Sequence, residues 1–178
     1  MKIGGPKGKI SDEDFNEAVV KYRERIFLVI LKYVRNRDDA RDLTQEAFIR
    51  AYRSRKSFRG ESSLYTWIFR IAVNLALNYK NRSRVSLFSS LEDSPELQGS
   101  GDPSSGIMSR ELAQRIDEAV GELPNRQRMT FVLRYYEEQP FAEVAKNLDI
   151  TEGAAKANYH QAIKKLRGKL TPYIRGES

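Results

Sequence analysis

The chain has no cysteine, a single histidine (His160), a single tryptophan (Trp67), and no apolar run near the ~20 residues that span a bilayer. Without cysteine there can be no disulfide, iron–sulfur cluster or thiolate zinc site, and one histidine cannot build a His-rich metal centre. The opening MKIGGPKGKISDEDF lacks the apolar segment of a secretory signal. Its GGPKGKIS stretch is no phosphate loop, because Ile3 stands where the first glycine is needed and Ile10 where Ser or Thr would bind magnesium. A cytoplasmic protein is expected, with no membrane insertion, cofactor or metal. Alternating strand patterns of useful length are missing too, so the fold class is all-α.

Charge is distributed unevenly. Residues 1–85 carry 19 Lys/Arg against 10 Asp/Glu, residues 86–108 carry none against 4, and residues 109–178 carry 12 against 10, for a net charge of +7. The acidic middle, SLFSSLEDSPELQGSGDPSSGIM, is rich in Ser, Gly and Pro and lacks helical periodicity, so it reads as a flexible linker. Two small helical domains follow, over 10–85 and 109–175.

In the first domain, apolar positions recur at helical spacing from Phe15 through Tyr22, Ile26 and Ile30 to Val34, with Ser11 as N-cap. RNRDDA breaks the pattern, and a second helix is expected over about 38–54. A third follows FRGESS, where Gly60 marks a turn and Ser62 or Ser63 can cap, and runs to about residue 82. The second domain offers SRELAQRIDEAVGEL, NRQRMTFVLRYYEE after Pro124, the short FAEVAKNL, and a final helix capped by Thr151.

That final helix sorts its residues. At about 100° per residue, Ala155, Tyr159, Ala162 and Leu166 form one stripe, while Gly153, Lys156, Ala157, His160 and Lys164 form the opposite one. Joined to FAEVAKNL by the tight DIT turn, it makes a helix-turn-helix whose second helix can enter a major groove. The alternative is an ordinary amphipathic helix with a solvated charged face.

Two faces of the first domain raise similar questions. On the third helix, Leu64, Ile68, Ile71 and Leu75 form the expected core stripe. Beside them Trp67, Arg70, Asn74, Asn78 and Asn81 combine an aromatic ring with Arg and amides suited to exposed bases, unless Trp67 is simply a large core residue. On the second helix, Ala40, Leu43, Ala47 and Ala51 suit close helix packing. A second face of Gln45, Phe48, Ile49 and Tyr52, bordered by Asp42 and Glu46, suits a protein partner, although the bundle can also bury it, Ile49 first.

Together DLTQEAFIRAYRS, FRGESSLYTWIFRIAVNLALNYKNR and LPNRQRMTFVLRYYEEQPFAEVAKNLDITEGAAKANYHQAIKKL resemble a bacterial extracytoplasmic-function (ECF) sigma factor of the sigma-70 family, in order from Phe15 to Leu170 with only the linker unmatched. The resemblance implies a protein that binds core RNA polymerase and directs promoter recognition, DNA melting and transcription initiation at a specialised, stress- or envelope-type promoter set, without catalysis of its own. The first domain would be region 2 and the second region 4. Docking on the β′ clamp helices would fall to Asp42, Gln45, Glu46, Phe48 and Tyr52. Capture and melting of the −10 element would fall to Phe58, Arg59, Gly60, Glu61, Ser62, Ser63, Trp67, Arg70 and Asn74. The second domain would bind the β flap and read the −35 element through Arg134, Lys156, Ala157 and His160, with Lys164 placed for phosphate. An anti-sigma factor is one further partner open to such a protein.

Departures exist. The family's reading helix commonly carries Arg where this chain has Asn158, Gln161 and Ile163, which points to different phosphate contacts. The large first region and the third domain of housekeeping sigma factors are not expected here. A stand-alone helix-turn-helix repressor would account for residues 109–178 and leave the Trp67 and Tyr52 faces idle. A helical carboxylate-metal enzyme lacks the paired Glu-x-x-His motifs that such a centre uses.

Overall fold

The computed structural model describes residues 10–87 and 107–174. The chain divides into two units, residues 1–87 and 88–178. Among the described residues the secondary structure is helical, and none is strand. The opening GGPKGK segment and residues 88–106 of the expected linker lie outside the described residues.

Helix α1 spans Asp12–Val34 and starts where expected. The Ser11 hydroxyl accepts from the Asp14 N–H at 3.0 Å, and Asp14 accepts from the Ser11 N–H at 3.3 Å, a reciprocal cap that satisfies two otherwise orphaned donors. It ends on Arg35 in the left-handed region (φ 63°), whose N–H bonds to the Leu31 carbonyl. Asn36 then caps α2, Arg37–Ser54, by accepting from the Asp39 N–H at 2.9 Å. A single 3-10 turn follows, and the chain passes through the 58–63 loop into α3, Leu64–Leu87.

The small-residue stripe of α2 is buried at its alanines, whereas Leu43 is only half-buried. Ala40, Ala47 and Ala51 are fully buried, which lets the backbone of α2 lie close to its neighbours. Thr44 is buried with them, and its hydroxyl donates to the Ala40 carbonyl at 2.6 Å, so no polar group is stranded. Helices α1 and α3 both pack on α2 and bury Ile26, Val29, Ile30 and Tyr33 of α1 and Ile68, Phe69, Ala72, Val73 and Ala76 of α3. The core face of α3 is therefore rotated from the expected stripe: Leu64 and Ile71 are only half-buried, whereas Phe69, Ala72 and Val73 are central. The reason is that α3 contacts both α1 and α2, which widens its buried arc. Its helix also continues past the expected end near residue 82, since no Gly or Pro interrupts NRSRVSL.

The second unit begins with α4, Ile107–Gly121, so helix occupies both ends of the segment expected as linker. Helix α5, Asn125–Phe131, runs into one wide turn over Val132–Tyr136, closed by the Glu137 N–H on the Val132 carbonyl at 3.2 Å. Then come α6, Phe141–Leu148, and α7, Glu152–Ile174. Ala119, Val120 and Leu123 meet Phe131, Ala162 and Leu166 in the core. Arg128 is buried with them, its Nη2 donating to the carbonyls of Gly121 and Leu123 (3.1 Å to the latter), where a cation meets the negative end of α4.

Candidate functional site

Three exposed faces carry the residues picked from sequence. On α7 the expected division holds: Ala155, Ala162 and Leu166 are buried, whereas Gly153, Lys156, Ala157, His160 and Lys164 are exposed. Thr151 caps the helix, accepting from the Ala154 N–H at 3.2 Å. The turn before it depends on Asp149, which sits left-handed at φ 52° and ends α6 through its N–H to the Ala145 carbonyl. Aromatic packing fixes the pitch of α7. The Tyr159 ring lies parallel to Phe131 (6.2 Å, 14°) and edge-on to Phe141 (5.6 Å, 70°), locking the exposed stripe in direction.

Lys156 does not stand alone, because its Nζ lies 2.7 Å from Oε1 of Glu152, one turn earlier. Arg134 is half-buried, its guanidinium 5.3 Å from the centre of the Phe141 ring. Of the positions where the family commonly carries Arg, Gln161 is exposed, Asn158 is half-buried, and Ile163 packs against the core cluster. Ile163 therefore belongs to the packing side. Against the core cluster beneath α7, Tyr136 holds its phenolic proton with a pKa raised to about 12, first by burial and then by the charges of Asp117 and Tyr135.

The second face joins the 58–63 loop to α3. Gly60 turns the loop at φ +71°, a conformation that L side chains rarely adopt. Ser63, rather than Ser62, caps α3 through the Thr66 N–H at 3.0 Å. Trp67 is half-buried, packed on Phe58 with ring centres 5.3 Å apart, so it is neither a central core residue nor a free ring. Arg59, Gly60, Glu61, Ser63, Arg70, Asn74 and Asn78 are exposed around this pair, and Ser62 is half-buried. The Asn81 side chain lies outside the described ones.

The third face, on α2, needs a correction. Phe48 is 7% exposed, whereas Ile49 is 45% exposed and Tyr52 39%. The start of α1 crosses the end of α2 and sets Phe15 edge-on to both Phe48 (6.4 Å) and Tyr52 (5.3 Å), which takes Phe48 into the core. The face presented to solvent is Asp42, Gln45, Ile49 and Tyr52, with Glu46 half-buried and paired to Arg50 at 2.6 Å. Arg55, absent from the sequence reading, joins the two helices. Its guanidinium lies 3.8 Å from the Tyr52 ring centre and 3.1 Å from Oδ1 of Asp12, which also accepts from the Tyr52 hydroxyl at 3.1 Å. The sequence signal for this clasp is a cation three residues after Tyr52.

A unit in which exposed Arg70, Asn74 and Asn78 surround the half-buried Trp67, followed by a separate helix-turn-helix unit whose last helix exposes Lys156, His160 and Lys164, defines a two-part protein of the DNA-binding class. Residues 18–85 match the Sigma-70 region 2 family and residues 113–166 match Sigma-70, region 4. Over 170 residues the chain is 34% identical to the ECF RNA polymerase sigma-E factor of Escherichia coli (strain K12), covering 90% of this chain and 88% of that protein. It is 32% identical to the sigma-E factor of Haemophilus influenzae over 169 residues, covering 90% and 89%. In fold it is similar to the sigma factor RpoE in complex with the anti-sigma factor NepR from Bartonella quintana, with a TM-score of 0.67, 22% identity and coverage of 89% and 98%. It is also similar to CnrH in complex with the cytosolic domain of CnrY, with a TM-score of 0.65, 18% identity and coverage of 90% of each chain. The chain belongs to the ECF sigma factors of bacterial RNA polymerase. As such it binds the polymerase core and directs transcription initiation, a class of factor that is generally non-enzymatic. Among the described residues no helix is long and apolar enough to cross a membrane.

Proposed function

We propose that the two units divide promoter recognition between them. The first docks on the β′ clamp helices through Asp42, Gln45, Glu46 and Tyr52, with Ile49 supplying the apolar contact that the sequence assigned to Phe48. Its 58–63 loop and Trp67, Arg70 and Asn74 capture and open the −10 element. Unstacking costs a few kcal/mol per base, offset when an extruded base meets aromatic and amide groups. The second unit binds the β flap and reads the −35 element with Lys156, Ala157 and His160, while Arg134 and Lys164 contact phosphates. Base edges supply discrimination, and phosphates supply salt-dependent affinity.

The observation that supports this most is on α7, where Ala155 and Ala162 are fully buried and Lys156, His160 and Lys164 project from the opposite side. The chain works in the cytoplasm without chemistry of its own, at a specialised promoter set. An anti-sigma protein is a fitting regulator, since the similar Bartonella quintana factor is held by one. Transcription in vitro with core polymerase on genomic fragments tests the reading: start sites should share one −35 and one −10 sequence upstream. Tight binding to duplex sites without any polymerase-dependent transcript would refute it.

A further inference from the structure

The first unit carries a second group of aromatic and cationic side chains that the −10 reading does not use. Tyr22 of α1 and Tyr65 of α3 pack with ring centres 4.9 Å apart at 53°, and both are half-buried. Lys21 Nζ lies 5.5 Å from the Tyr22 ring centre, and the Arg25 guanidinium 5.1 Å from that of Tyr65. Both cations are exposed, and Lys21 forms no ion pair among the described residues. Lys21 and Arg25 lie one turn apart on α1, at about 100° per residue, with Arg25 against the Tyr65 ring of α3.

Position gives this group its meaning. Tyr65 is the second residue of α3 and Trp67 the fourth, which sets them about 200° apart around the helix. The 58–63 loop therefore enters α3 between two aromatic pairs, Phe58 with Trp67 on one side and Tyr22 with Tyr65 on the other. We infer that the Lys21, Tyr22, Arg25 and Tyr65 surface is a second platform for single-stranded DNA, on which a base next to the captured −10 bases stacks on Tyr22 while Lys21 and Arg25 hold its phosphates. A π-face accepts any base and a lysine accepts any phosphate, so the platform is indifferent to sequence. Its role is to hold the opened strand away from re-pairing. The inference rests on the reading of this unit as the one that captures the −10 strand.

The test measures binding of the full chain with core polymerase to fluorescent single-stranded oligonucleotides. One carries only the −10 element, and two others extend it by three arbitrary nucleotides at the 5′ or the 3′ end. One extension should tighten binding, and Tyr22→Ala should erase that gain, about 5- to 150-fold for one stacked base, with the short oligonucleotide bound as before. Tyr22→Phe should keep the gain. Lys21→Gln, at an exposed position, should halve or further reduce it and lower the salt slope by about one contact without perturbing the fold. Neither extension tightening binding, or Tyr22→Ala and Lys21→Gln weakening short and extended oligonucleotides alike, would overturn the platform. Failure of the short oligonucleotide to bind, or its indifference to Trp67→Ala, would strike the −10 reading instead.

Discussion

Replacing Lys156 by Ala separates reading from packing on α7. The side chain is exposed, and its described ion pair is with Glu152 at 2.7 Å, one turn away on the same helix. Exposed pairs of this spacing contribute about 0.3–0.5 kcal/mol, so the fold should lose no more than that. Binding should lose more. A good base-edge contact discriminates by about 1–3 kcal/mol, and removing the ammonium also leaves the Glu152 carboxylate uncompensated near DNA phosphates. The cognate −35 sequence should therefore be bound about 5- to 150-fold more weakly, with the preference among base substitutions flattened at one or two positions. Lys164→Ala, two turns from Lys156, should instead weaken every sequence alike and reduce the salt slope by about one contact. The assay is competition between promoter fragments substituted base by base across the −35 element, with holoenzyme at two salt concentrations and thermal melts of each variant as the folding control. Unchanged promoter choice in a folded Lys156→Ala protein would show that the exposed stripe of α7 is only a solvated face.

On α2, Phe48→Ala should cost about 3–4 kcal/mol by opening a hole beside Phe15, enough to melt the first unit, whereas Ile49→Ala should leave its melting unchanged and weaken capture of core polymerase on a pull-down. Arg128→Met should destabilise the second unit by about 2–4 kcal/mol, because the Gly121 and Leu123 carbonyls lose a cationic donor, and Arg128→Lys should recover little since one ammonium replaces a planar fork; chemical denaturation reads both. Folded Tyr136 keeps its proton to about pH 12, whereas the unfolded chain releases it near 10. Its contribution is therefore complete below about pH 10 and disappears toward pH 12, and Tyr136→Phe should flatten the alkaline fall in stability relative to the native chain.

Much of the architecture was legible because its signals are local. Ser11, Ser63 and Thr151 are caps whose hydrogen bonds close within three residues, Gly60 is a left-handed turn, and each sits where the sequence put it. The faces of α7 were equally legible, since this helix packs on one side only and its buried side is carried by alanines that tolerate close approach. Arg128 escaped notice for the opposite reason. A buried cation ending another helix leaves no periodic trace, and nothing in NRQRM distinguishes it from the exposed Arg126 two residues earlier.

The exchange of Phe48 and Ile49 shows where one-helix reasoning stops. The two residues are neighbours about 100° apart on α2, and a helical wheel leaves open which of them a third element covers. That choice is made 33 residues away in sequence: the Ser11 cap fixes where α1 begins, and this start brings Phe15 across the end of α2. Had α1 begun a turn later, Phe15 would lie outside it and Phe48 would keep its solvent face. The Arg55 clasp on Asp12 and Tyr52 reinforces the same crossing from the surface. Asp12→Ala should therefore disturb polymerase capture through Tyr52, although Asp12 lies on α1 and outside the proposed docking face. Arg55→Ala should do the same, and the double variant should add little, because the clasp is already open once either end is removed. Independent, additive losses would mean that Asp12 and Arg55 contact the polymerase directly and that the clasp does not position Tyr52.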